Sequence, residues 1–141
     1  MNATQAQTPG TFDQRPLTGK VAIVIGASRG IGAAVARAFS RAGAAVAVAS
    51  RDEAALDRLA GELTEAGGSA LVVPTDVSDA DAVARLIDQT VARFGRLDLA
   101  CNNAAGGGHR PMPLADVSLD AFESAFAMNL RGAFVAMKHE I

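Results

Sequence analysis

The run Lys20 to Ile25 reads KVAIVI and passes without a spacer into Gly26-Ala27-Ser28-Arg29-Gly30-Ile31-Gly32. Nothing else in the chain restricts its fold as much. A short apolar stretch rich in β-branched residues, stopped by glycine, reads as a strand buried on both faces. From Arg29 to Gly43 the period becomes helical, with Ile31, Ala34, Val35, Ala38, Phe39 and Ala42 expected on one stripe and Gly43 as the C-cap. A strand that turns at once into a helix through three glycines is a demanding arrangement. One glycine makes the tight turn, one lets a ligand approach the backbone, and one packs the helix against the strand. The helix start then offers free N–H groups and the positive end of a dipole to an anion.

The alternation continues. Strands are expected at Ala45 to Ala49, Ala70 to Val73 and Leu97 to Cys101. Between them lie a helix from Glu53 to Ala66, with Leu56, Leu59, Ala60 and Leu63 inward, and a helix from Ser78 to Phe94. In the latter Ser78 is the expected N-cap, and Val83, Leu86, Ile87 and Val91 the buried face. A glycine-rich loop, Gly106 to Gly108, leads to a last helix that begins near Ser118 and carries Phe122, Phe126, Asn129, Leu130 and Phe134 on one side. Strands and helices in strict alternation imply an α/β fold, a Rossmann-type doubly wound parallel sheet. Residues 1–16 are polar and read as a disordered tail, and 17–141 as one nucleotide-binding domain.

Composition narrows the function. The formal net charge is −2 and no basic block occurs, which argues against nucleic acid as a partner. No apolar run is long enough to cross a membrane, and the tail lacks a signal-peptide core. With a single cysteine, Cys101, a reducing cytoplasm is the expected location. No metal-ligand set is expected. Cys101 reads as a core residue, His109 as a loop residue near the ligand side of the sheet, and His139 as surface.

The glycine spacing is G-x-x-x-G-x-G, and on it the chain resembles the short-chain dehydrogenase/reductase family. The likeness runs on from Leu17-Thr18-Gly19-Lys20-Val21-Ala22 through Asp76-Val77, Asn102-Asn103-Ala104-Ala105 and Met128-Asn129-Leu130-Arg131-Gly132. Two positions depart from the family: Ile25 stands for a threonine and Ala105 for a glycine, with Gly106 following. The resemblance implies an NAD(P)-dependent oxidoreductase that moves a hydride between an alcohol and a carbonyl. It implies cofactor contacts at Gly26, Ser28, Arg29, Gly30, Ile31, Gly32, Arg51, Asp76, Val77, Asn103 and Ala104. Asp76 would meet the adenine ring; its plain alternative is a helix-start aspartate. Asn129 would be the one catalytic residue present, through a helix kink and a bound water; its plain alternative is a satisfied core asparagine.

Cofactor choice rests on the end of the second strand. Arg51 stands about twenty residues past the last loop glycine, where an acid would favour NAD(H) and a base NADP(H). Arg51 and Arg29, with Ser28 and Ser50, favour NADP(H) as the cofactor; Asp52 weakens the signal, so NAD(H) stays open. The family's catalytic serine and Tyr-x-x-x-Lys have no counterpart, since the chain contains no tyrosine. Lys138 has no tyrosine four residues before it. The chain is therefore expected to be an N-terminal fragment, ending after about four strands and inactive alone, with a homo-oligomer expected for a full-length form. A non-catalytic dinucleotide-binding module or a decayed gene product is the alternative.

Overall fold

The computed structural model describes residues 15–106 and 110–141. The elements run β1 (Val21–Ile25), α1 (Gly30–Arg41), β2 (Ala45–Ser50), α2 (Glu53–Glu65), β3 (Ala70–Pro74), α3 (Ala80–Phe94), β4 (Leu99–Asn102), α4 (Leu119–Phe126) and α5 (Gly132–Glu140). A 3-10 turn over Leu114–Asp116 precedes α4, and a wider π turn over Ala127–Arg131 joins α4 to α5. The four strands are parallel in the order β3-β2-β1-β4, as the alternation requires. The fold is Rossmann-type α/β. Of the tail expected over 1–16, residues 1–14 fall outside the described residues, as does His109. Pro16 instead opens a turn through Gly19, and the Leu17 N–H donates to the Ala42 carbonyl at 2.8 Å.

Successive side chains on a strand point to opposite faces, so the central strands divide one apolar run between two cores. Ala22, Val24, Val46 and Val48 face Ala33 and Ala36 of α1 and Leu56, Leu59 and Leu63 of α2. Ile23, Ile25, Ala47 and Ala49 face Val83 and Leu86 of α3 and Val135 and Ala136 of α5. Ile25 is 1% exposed, so the site of the family's threonine is filled by an aliphatic side chain that belongs to the second core.

Two helix faces differ from expectation, each for a local reason. On α1 the buried residues are Gly32, Ala33, Ala36 and Ser40, while Ile31 is 73% exposed and Ala34 and Ala38 are also exposed. The helix rides on the sheet through its smallest residues, and Val35 and Phe39 only flank the contact. Its C-cap is Ala42, with Gly43 one position beyond in the left-handed region at φ 103°. On α3, Val91 turns outward and Thr90 is buried, its hydroxyl donating to the Leu86 carbonyl at 2.7 Å and so losing its need for water. The cap of α3 is Asp79, which accepts from the Asp81 and Ala82 N–H groups at 2.9 and 3.3 Å. Ser78 is drawn back instead, its N–H and hydroxyl both donating to Asp76 Oδ1.

Phe122, Phe126, Leu130 and Phe134 share a side as expected, and all four are at least half exposed. No helix of the described residues is long and apolar enough to cross a membrane.

Candidate dinucleotide site

A cleft of about 700 Å³ opens where the carboxyl ends of β1, β2, β3 and β4 meet the following loops. Its floor is the glycine turn, with Gly26, Ser28, Arg29, Gly30 and Ile31. One wall is Ser50, Arg51 and Asp52 after β2, together with Ala55 and Arg58 of α2. The other is Thr75, Asp76 and Val77 after β3, with Asn103, Ala104, Ala105 and Met128 closing the end. In sheets of this kind ligands bind at this edge, where strand order reverses about β1.

The three glycines take three different parts. Gly26 has φ 84°, and a Cβ there would stand 2.7 Å from the Ala104 nitrogen, so both the turn and the approach of β4 need its bare Cα. Gly32 is buried, and its missing Cβ would lie 2.1 Å from the Gly26 carbonyl oxygen, so it packs the helix and does not line the cleft. Gly30 has φ 56° and no protein atom within 4 Å of the Cβ position. The space its side chain would take is left open beside the cleft.

The start of α1 has no capping side chain and no acidic residue in its first turn. By contrast α2, α3 and α4 are capped by Asp52, Asp79 and Ser118. Uncapped N–H groups at a helix start need an acceptor, and an anion over the glycine turn supplies one. Asn103 fixes the turn from the side: its N–H donates to the Ile25 carbonyl at 3.0 Å and its Nδ2 to the Gly26 carbonyl at 3.3 Å.

Charge in the cleft is mostly positive. Arg29, Arg51 and Arg58 line it, and among the described residues none of the three forms an ion pair. Asp52 lines it too, but its Oδ1 accepts the Ala55 N–H at 3.0 Å as the cap of α2. Asp76 is held below the ordinary carboxylate range by the Ser78 hydroxyl and N–H, with a smaller contribution from the Arg51 charge. It is therefore ionised near neutrality. Both bonds from Ser78 fall on Oδ1, and Oδ2 has no hydrogen bond among the described residues.

Asn129 does not line the cleft. Its Nδ2 donates to the Ala125 carbonyl and to the Gly106 carbonyl, both at 2.7 Å, and its Oδ1 accepts the Gly106 N–H at 3.3 Å. The polar residue in the apolar helix is thus satisfied by the loop after β4, and the helix widens into its π turn at this point. Cys101 is half-buried on β4, where burial pushes its thiol up, which makes it a poor nucleophile. His139 is exposed.

Of the residues expected at a cofactor, all but Gly32 line one cleft. Sequence reasoning missed Arg58, Thr75, Ala55 and Met128 as lining residues. Thr75 adjoins Asp76, and Arg58 lies one helical step beyond Ala55, but nothing in the periodicity alone turns either toward a ligand.

A family model described as short chain dehydrogenase matches residues 20–141. Versicolorin reductase stcU of Emericella nidulans is 44% identical over 126 residues, which cover 86% of this chain and 46% of that one. A metagenomic short-chain oxidoreductase solved in complex with NADP superposes with a TM-score of 0.83 at 36% identity, covering 88% of this chain and 56% of that one. A 7 alpha-hydroxysteroid dehydrogenase, solved with NADH and 7-oxo glycochenodeoxycholic acid, superposes at 0.84 with 30% identity, covering 92% and 51%. The chain spans about half the length of the relatives it matches.

Proposed function

The chain belongs to the short-chain dehydrogenase family, and from that premise we propose that it supplies the cofactor-binding half of an NAD(P)-dependent oxidoreductase acting on an alcohol or carbonyl. The observation that carries this reading is the uncapped start of α1 over the Gly26–Gly32 turn, facing a cleft lined by Arg29, Arg51 and Arg58, none of which forms an ion pair among the described residues. The residues fit a dinucleotide along their whole line. N–H groups at the start of α1 donate to the pyrophosphate oxygens. Gly30 allows its approach, and Asp76 Oδ2 and Val77 receive the adenine. Asn103 and Ala104 border the end that leads toward the nicotinamide.

NADP(H) is the cofactor we favour. Arg29 and Arg51 provide guanidinium groups for a 2′-phosphate, with the Ser28 and Ser50 hydroxyls beside them. Asp52 would compete as a partner for a ribose hydroxyl, but its Oδ1 is committed to the cap of α2. When bound, the nicotinamide carries the hydride between itself and the substrate carbon. Asn129 acts by position: it holds the Gly106 loop against the wide turn of the helix, where a water can stand in a proton path. The apolar row on α4 and α5 is the surface through which full-length copies would associate.

The test is calorimetric titration of the protein with NADPH and NADH. The expected result is saturable binding of both, tighter for NADPH. A folded protein that binds neither would overturn the reading.

A further inference from the structure

Arg58 was not among the residues the glycine motif or the end of β2 points to, yet it lines the same cleft wall as Arg51. It sits on α2, six residues past the Asp52 cap. An arginine on an exposed helix face can pair with an acid three or four residues away. Arg58 has none to use. Ala54 and Ala55 stand at the positions before it and Gly61 after it. Glu62, four residues on, is taken by Arg37 of α1 at 2.7 Å. A guanidinium aimed at a cleft and deprived of local acids is arranged for an anion from outside.

The other groups on that wall favour the same ligand. Arg51 and Ser50 approach from the end of β2, and Arg29 from the glycine turn. The one acid on that wall, Asp52, caps α2 through its Oδ1. We infer that Arg58 is a specificity-determining residue that binds the adenosine 2′-phosphate of NADP(H) from the α2 side, opposite Arg29, so that three elements grip one phosphate. This rests on the NADP(H) reading above. A dianionic phosphate has three terminal oxygens, and Arg29, Arg51 and Arg58 each offer a forked donor. The Arg37–Glu62 pair acts one step behind, as a positioning pair that keeps Glu62 from neutralising Arg58.

The test compares adenosine 2′,5′-diphosphate with adenosine 5′-diphosphate by calorimetry, on wild-type protein, Arg58→Gln and Arg58→Lys. Glutamine keeps the helix propensity and a polar side chain while removing the charge and the guanidinium fork. The wild type should prefer the 2′,5′-diphosphate. Arg58→Gln should lower that preference about tenfold, in line with loss of one charge-assisted bond, and leave 5′-diphosphate binding unchanged. Arg58→Lys should restore part of the preference, and 0.5 M salt should erase most of what Arg58 contributes. A wild-type preference that Arg58→Gln leaves intact overturns the role of Arg58 while the NADP(H) reading stands. Equal weakening of both nucleotides by Arg58→Gln also overturns it. A wild type with no preference for the 2′-phosphate removes both.

Discussion

Replacing Gly30 with alanine should separate ligand binding from folding. The position has φ 56°, and no protein atom lies within 4 Å of the added Cβ. The folded protein therefore bears only the backbone cost of an L-residue in the left-handed region, roughly 1–2 kcal/mol. The methyl group, however, enters the space through which a phosphate must approach the N–H groups of α1. Hydrogen bonds to a charged acceptor are worth about 1.5–3 kcal/mol each. Losing one of them should weaken dinucleotide binding by roughly ten- to a hundredfold. Gly26→Ala is the contrasting control. Its Cβ would stand 2.7 Å from the Ala104 nitrogen at φ 84°, so β4 must be pushed away from β1 and stability should fall further than in Gly30→Ala. Thermal unfolding and calorimetric titration with NADPH on both variants measure the two effects. A Gly30→Ala protein that binds NADPH with wild-type affinity would refute the phosphate path, and a Gly26→Ala protein as stable as Gly30→Ala would refute the packing argument.

Arg51→Asp should move the cofactor preference from NADPH toward NADH, read as the ratio of the two dissociation constants; a wild type that already favours NADH would end that argument. Asp98 accepts from the Arg96 guanidinium and the Val21 N–H, which holds its carboxyl below the ordinary range. A lowered folded-state pKa gives stability that is present above the unfolded value, about 3.9. It is lost as pH falls through the folded value. The stability gap between wild type and Asp98→Asn should therefore be open from pH 7 down to about pH 4 and close progressively as pH falls further; a gap that persists unchanged well below pH 4 would show that the carboxylate charge is irrelevant. Residues 1–141 alone should show no alcohol or carbonyl turnover with either nicotinamide, because the chain offers no tyrosine as proton donor. General acid–base catalysis contributes about 10²–10⁴-fold. Absorbance assays over a carbonyl panel check this, and turnover that tracks the purified chain would contradict it.

The element sequence and the parallel sheet were legible because each follows from period and punctuation. KVAIVI cannot be amphipathic, and glycines placed where strand becomes helix have few other uses. Helix faces were less legible. The expected stripe on α1 is anchored on Ile31, Val35 and Phe39, yet close packing selects the neighbouring face of Gly32, Ala33 and Ala36, since the Gly32–Gly26 contact sets how near the helix sits. Ser78 and Asp79 compete for one cap, and the winner depends on Asp76 claiming Ser78 first. Arg58 was invisible for a related reason. Its role depends on Glu62 being taken by Arg37, twenty-five residues away in sequence, and one-dimensional spacing carries no record of that pairing.

The order β3-β2-β1-β4 also sets a schedule for synthesis. One side of β1 is covered by β2 soon after it emerges, but the other waits for β4, whose preceding Asp98 is 77 residues from its partner Val21. At about 5–20 residues per second on the ribosome, that edge of Ala22, Ile23 and Val24 stays bare for roughly 4–15 seconds. A nascent chain with an uncharged, β-branched edge exposed for that long is open to pairing with its neighbours on a polysome. Lys20 stands directly before this strand, a charge at the one end of the run where it costs the core nothing.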